Sequence, residues 1–401
     1  MTTHDDSARR LVAFVGAYAS GPAGGDGGIT VLAVEHDGDR ITRLSGTTEP
    51  KEAGYLVYSP STSTLYSVDE RKTDGRGPVD PPAAVHAFRV DQADGGLTPL
   101  NWRAAPGPRP TYLALDADRG VLVCANHGDF EHVERIIRTA EGWDVEYVYD
   151  DSTVLLYGLE SDGAIGRLRD VVVFDGHGPD PNTSPQAGGH AQASGHAHCA
   201  VIDRSGRYVV VCDKATDLIT VFTLGDRLTK TSEYRMPPQT GPRHLVFDIE
   251  GTRAYVTCEF SSEVASFTFD PENGTLELIE KVTTTGEGFT GLNEPADLRL
   301  HPYGRFVYVN NRGEDSLAWF HIDESGRMTR VGHVPLSRSI HPGLAARSFA
   351  FAPSGSLLLV ADRPANLVRA YRVDGADGRL EHLGDSEVAD PAFIEFAELG
   401  S

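Results

Sequence analysis

Cysteine, basic charge and long apolar runs are all in short supply in this chain. Its 401 residues include four cysteines, Cys124, Cys199, Cys212 and Cys258, none of them in a CxxC pair. That argues against a disulfide framework. Three fall near the ends of apolar strands, so reduced core residues of a cytoplasmic protein are expected. No apolar stretch approaches the roughly 20 residues that span a membrane. The run Leu11 to Val15 is too short for a secretory leader and lacks a cleavage pattern. Lys and Arg number 36 against 58 Asp and Glu, a net charge of −22. Such a balance excludes partners held by their phosphate backbone, and anionic membrane surfaces with them. It still allows a small anionic substrate held by a few local arginines. A P-loop, a dinucleotide fingerprint and a Gly-x-Ser-x-Gly elbow are all missing. The glycine-rich Gly24–Gly28 lies between strands rather than ahead of a helix. No cofactor is expected.

What the chain does have is repetition. One phrase, two apolar strands around a turn closing on a polar residue, recurs six times: Tyr55–Glu70, Tyr112–His127, His198–Asp213, Arg243–Glu259, Asp297–Arg312 and Arg347–Asp362. Alternating apolar residues mark the strands. Turns such as Arg204–Gly206 and Pro353–Gly355 supply a glycine able to take positive φ. A third and a shorter fourth strand follow each hairpin. Four strands at a period of roughly fifty residues describe a β-propeller blade. The N-terminal end begins at a second strand, Leu11 to Tyr18, and the C-terminal end closes on a lone first strand, Pro391 to Glu398. Joining them completes a seventh blade and removes the exposed sheet edges. The expectation is an all-β, seven-bladed propeller over 11–398, closed by the C-terminal strand. A flexible segment is expected over 1–10, with insertions at about 128–153 and 175–195.

Strand geometry in a propeller brings the start of each first strand and the end of each second strand to one channel mouth. The phrases therefore set His198 beside Asp213, Arg243 beside Glu259, Asp297 beside Arg312 and Arg347 beside Asp362. Arginine suits carboxylate or phosphate because its planar fork donates paired hydrogen bonds. Glutamate and histidine are suited to proton exchange near neutral pH. His198 and Glu259 are the expected catalytic residues; Arg243, Arg312, Arg347, His196 and Asp213 are expected to hold substrate.

The phrases Gly241–His244, Cys258–Glu259, Asn310–Ser316, His196–His198 and Ala346–Phe349 resemble the propeller lactonases. So do the opening Val15–Tyr18 and the ending Ala392–Ile394. That family includes the propeller-type 6-phosphogluconolactonases and the fungal-type 3-carboxymuconate lactonising enzymes. The resemblance implies a seven-bladed propeller in which His198, Arg243, Glu259 and Arg312 match active-site positions. His196 lies in phase with His198, and either fits the histidine; His198 is preferred because it opens the repeated phrase. Lys214–Asp217 departs from the family, which more often has a leucine–glycine turn there. The same residues serve lactone hydrolysis, on a substrate such as 6-phosphogluconolactone, or cycloisomerisation of carboxylated muconates. A third reading is a non-catalytic interaction propeller, for which the Arg–Glu–His ring is too highly charged.

Two insertions interrupt the third blade. Gly128–Ser152 carries alternating Val145, Tyr147 and Tyr149, as an extra hairpin would. The second, Asp175–Gly195, is rich in Gly, Pro, Asn and Ser and reads as a mobile loop. Both are expected on the active face, where together they would form a lid. His177, His190, His196 and His198 raise the question of a metal, but the arginines of the ring repel cations, and no metal is expected. A closed propeller is expected to act as a monomer.

Overall fold

The computed structural model describes residues 10–35, 38, 40–72, 82–179, 191–340 and 343–400. It holds seven four-stranded antiparallel sheets and one two-stranded sheet. Blade 1 is composite: β1 (Arg10–Ala17), β2 (Gly28–Val34) and β3 (Ile41–Thr47) are completed by β30 (Pro391–Leu399) from the other end of the chain. Its register sets Val15 opposite Ile394 and Ala13 opposite Phe396. Arg10 already belongs to β1, and β30 runs on to Leu399, so the domain is slightly wider than the sequence suggests. Residues 1–9 of the expected flexible segment lie outside the described residues.

The other first strands are β4 (Leu56–Ser59), β8 (Pro110–Asp116), β14 (Ala197–Ile202), β18 (Pro242–Phe247), β22 (Glu294–Leu300) and β26 (Ser348–Phe351). They touch in cyclic order: β4 to β8, β14, β18, β22, β26, β30 and back to β4. That is a closed ring around a channel.

Burial follows from position in the ring. Second strands are packed on both faces. Accordingly they are continuous apolar runs such as Tyr208–Asp213 and Leu357–Asp362, every residue buried. Fourth strands face solvent on one side and alternate, as Met328–Pro335 does. The first-to-second-strand turns carry Gly206, Gly251, Gly304 and Gly355 at φ between 67° and 74°, which a side chain would strain. Hydroxyls tie neighbouring blades reciprocally: Tyr66 donates to the Gly163 carbonyl and Tyr157 to that of Ala104, each at 2.7 Å. All four cysteines are buried and free.

The first insertion is the expected hairpin, β10 (His132–Thr139) paired with β11 (Gly142–Tyr149). It projects from the blade with Ile136 and Trp143 largely exposed. Of the second insertion, 180–190 lie outside the described residues. No described helix is long and apolar enough to cross a membrane.

If β30 closes the ring, its core contacts hold the two chain ends together. Ile394, fully buried in the blade 1–blade 7 cluster, should cost about 2–5 kcal/mol when cut to alanine. The half-exposed Val331, treated likewise, should change stability by no more than about 0.5 kcal/mol. Urea unfolding of both variants checks this; equal midpoints would mean that the C-terminal strand does not bear on closure.

Candidate active site

One side chain per blade turns into the channel just past the second strand. Those strands are β1, β5 (Thr64–Asp69), β9 (Val121–Asn126), β15 (Tyr208–Asp213), β19 (Arg253–Cys258), β23 (Phe306–Arg312) and β27 (Leu357–Asp362). Tyr18, Glu70, His127, Lys214, Glu259 and Arg363 each follow the last residue of a strand, while β23 runs one residue longer and ends on Arg312. All seven line a single cavity of about 340 Å³. From the first-strand starts, Thr111, His198, Arg243, Glu294 and Arg347 join them.

The preceding residue faces the other way, since side chains alternate along a strand, and it is spent on the turn. Asp213 Oδ1 accepts the backbone N–H groups of His196 and Ala215 at 2.8 and 3.1 Å. Asp362 accepts from Ser337 N at 3.1 Å and Arg369 Nε at 2.5 Å. This revises the sequence expectation in two blades. Asp213 is not at the cavity, and Arg347 faces Glu70 rather than Asp362 (Nη2 to Oε1, 3.5 Å). In both blades the repeated phrase was closed one residue early, and a slip of one residue changes the face. The channel positions are Lys214 and Arg363. The expected Asp297–Arg312 pair does not form either; Asp297 lies deeper, against His244 and Arg299.

Glu259 is the hub of the floor. Its Oε1 lies 2.9 Å from Lys214 Nζ, and its Oε2 lies 2.7 Å from Arg243 Nε and 3.0 Å from Arg312 Nη2. The Glu259, Lys214 and Arg243 side chains are at most 7% exposed. Burial alone would raise the Glu259 carboxyl, but Lys214, Arg312 and Arg243 together hold it far below the usual carboxylate range. Burial and Arg312 push Arg243 down to about 10, against the pull of Glu259. Lys214 is lowered by burial and supported by Glu259. Arg312 also reaches Glu294, with Nη2 3.3 Å from Oε2.

A second group sits across the cavity. Tyr18 donates to Glu70 Oε2 at 2.5 Å, and the guanidinium carbons of Arg363 and Arg347 lie 4.7 and 5.6 Å from its ring centre. Arg363 is fixed by Asp390 at 2.6 Å. With Arg109 and Glu52 added to the two groups, six basic and four acidic side chains line the cavity, and Asp390 and Asp129 stand behind Arg363 and Arg109.

Of the two candidate histidines, His198 lines the cavity and His196 does not. A bulge between Ala197 and Cys199 breaks the alternation that would have set both on one side. His196 stacks on His127 with centroids 4.3 Å apart and bonds the His127 carbonyl through Nδ1 at 2.8 Å. Burial, with Arg243, keeps His198 neutral well below the ordinary histidine value of 6.5. His177 holds the Gly178 carbonyl, and His190 lies outside the described residues. Among the described residues no group of three or more His, Cys, Asp or Glu converges as metal ligands would. Phe130 and Ala191, at the feet of the two insertions, do line the cavity.

Lys214, Arg363 and Tyr18 are cavity-lining positions missed in the sequence. For Lys214 and Arg363 the signal was the repeat itself, counted one residue further.

A closed propeller with a charged, converging cavity at one channel mouth defines the class of small-molecule enzyme propellers. The sequence profile of the family described as "Lactonase, 7-bladed beta-propeller" matches residues 12–396, and the chain belongs to this family of lactonases. The 6-phosphogluconolactonase of Bacillus subtilis is 26% identical, over 96% of this chain and 98% of that protein. That of Formosa agariphila is also 26% identical, over 92% and 94%. The solved periplasmic gluconolactonase of Pseudomonas aeruginosa superposes with a TM-score of 0.81 at 26% identity, covering 98% of this chain and all of that one.

Glu259→Gln leaves the buried Lys214 and Arg243 and the partly buried Arg312 without their shared counter-ion, and should destabilise by about 3–5 kcal/mol. Adding Lys214→Met should recover part of that loss, because one of the repelling charges is gone. The folded carboxyl is depressed below its ordinary 4.5. Its stabilisation is therefore complete above 4.5 and shrinks as pH falls, so the Glu259→Gln deficit should narrow in acid. Denaturant titrations at neutral and acid pH check both expectations; additive losses in the double variant would rule out the shared junction.

Proposed function

We propose that the protein hydrolyses a small anionic sugar lactone, 6-phosphogluconolactone being the best-fitting substrate. The observation that carries this is the cluster of Lys214, Arg243 and Arg312 at the floor of the cavity, within reach of a neutral histidine. Relatives named 6-phosphogluconolactonase support the phosphorylated substrate. The four free cysteines suit a reducing cytoplasm.

His198 acts as general base. Its Nε2 takes a proton from water as the hydroxide adds to the lactone carbonyl carbon. Charge then develops on the carbonyl oxygen, where Arg312 and Lys214 stabilise it. Collapse breaks the bond to the ring oxygen, which recovers the proton from His198, leaving a hydroxy acid that ionises. Arg347 and Arg363, across the cavity, take the phosphate through charge-assisted hydrogen bonds. Both Glu259 oxygens are engaged by cations, so it is assigned no proton transfer. It acts as the counter-ion that keeps the three cations in place. Sugar lactones open readily in water, so no covalent nucleophile is required.

The test is acid release from freshly generated 6-phosphogluconolactone at constant pH, corrected for spontaneous opening. Wild type should accelerate it. His198→Asn should lower kcat by roughly 100-fold or more, and Arg347→Ala should raise KM by roughly 10- to 100-fold with a smaller effect on kcat. Because His198 is depressed below 6.5, it stays unprotonated through that range, and kcat should hold level there instead of falling. No acceleration by wild type, or full activity in both variants, would overturn the proposal; activity on carboxylated muconates instead would make the enzyme a cycloisomerase.

A further inference from the structure

A buried file of polar side chains runs inward from the cavity, and the hydrolysis described above does not use its deeper members. His198 stands at the cavity. The His244 ring, from the next blade, lies 5.0 Å away centre to centre at 62°. Behind it is Asp297, with Oδ1 3.1 Å from His244 Nδ1, and Arg299 Nε bonds Asp297 Oδ2 at 3.2 Å. His198, His244 and Asp297 are 4%, 6% and 2% exposed.

The protons on this file can be assigned in order. Burial would raise Asp297, but Arg299 and the bond from His244 hold it below its ordinary range, so it is a carboxylate and only accepts. His244 Nδ1 therefore carries the proton, and burial with Arg243 keeps the ring neutral. That leaves Nε2 of His244 as a bare acceptor, sealed from solvent and without a partner. On the next ring His198 Nδ1 is likewise sealed and without a partner. Two buried polar nitrogens left open on adjacent rings form an unstable arrangement.

We propose that His198 donates its Nδ1–H to His244 Nε2, a small rotation of the His198 ring closing the bond, so that the Asp297–His244 pair holds His198 in the tautomer whose Nε2 lone pair faces the cavity. His244 and Asp297 touch no substrate and are positioning residues. Their effect is to keep the base ready and to spread the charge that arises when it takes a proton, as an orienting carboxylate does in a Ser-His-Asp site. His198 is also faced by Arg243, Lys214 and His127, and His244 by Arg243, Arg299 and Tyr112. Those cations disfavour an imidazolium, which makes an anionic partner at the far end of the file the more useful. Only the kinetic part of this inference rests on the proposed lactone hydrolysis.

The test uses the full-length protein with ¹⁵N-labelled histidine rings, the His198 signals being identified by their loss in His198→Asn. Wild type should show His198 protonated at Nδ1. His244→Phe keeps a ring but removes the acceptor. It should release His198 into a mixture of tautomers and lower kcat by roughly 10- to 100-fold while KM stays within about twofold. His244→Gln keeps an acceptor and should restore most of both, which separates positioning from a folding defect. A wild-type His198 protonated at Nε2, or a tautomer unchanged in His244→Phe, would overturn the inference. If the tautomer shifts as expected in a protein that hydrolyses no lactone, the positioning pair stands and the proposed function falls.

Discussion

The floor of the channel mouth depends on one buried carboxylate holding three cations. Lys214, Arg243 and Arg312 come from three different blades and meet only at Glu259. Desolvating three like charges side by side is prohibitive unless an anion sits among them. Glu259 supplies that anion, and the three cations hold its carboxyl far below the usual range. With Glu294 also on Arg312, the junction ties three blades and leaves one more cation than anion facing the cavity. Arg363 with Asp390, and Arg347 with Glu70, repeat the device singly on the other side.

The ring makes such a junction possible. Seven second strands end at matching heights because their blades are copies, and closure by β30 fixes those heights relative to one another. Residues hundreds of positions apart therefore meet with little loop between them, on a scaffold of fully buried strands. That rigidity suits a site built from pre-placed charges, where stabilisation comes from donors already aimed at the reacting group. It also explains how a chain of net charge −22 gathers six basic side chains around one cavity.

The fold was legible because repetition is a long signal. Six phrases agree on strand, turn and strand, and the truncated N-terminal end matches the lone C-terminal strand, so blade number and closure follow from the sequence. The site was legible in part. Arg243, Glu259 and Arg312 were found because in those blades the phrase closes on the inward residue. Lys214 and Arg363 were not, because Asp213 and Asp362 are also polar and stand one place earlier. Telling a turn-capping aspartate from an inward lysine requires the strand register, which side-chain type alone does not give. The choice between His196 and His198 turned on a bulge at Ala197–Cys199, a backbone feature with no mark in the residue types. The deeper His244–Asp297 pair crosses two blades, and its contact is invisible without coordinates.

An anion site assembled by Glu259 makes a direct demand on binding. Calorimetric titration of wild type and Glu259→Gln with a phosphorylated sugar acid and its unphosphorylated counterpart tests it most directly. Wild type should bind the phosphorylated acid at least roughly tenfold more tightly. The preference should weaken with salt, and Glu259→Gln should bind both poorly because its cations have moved apart. Equal binding of the two acids by wild type, or unchanged binding in the variant, would contradict an anion site assembled by Glu259.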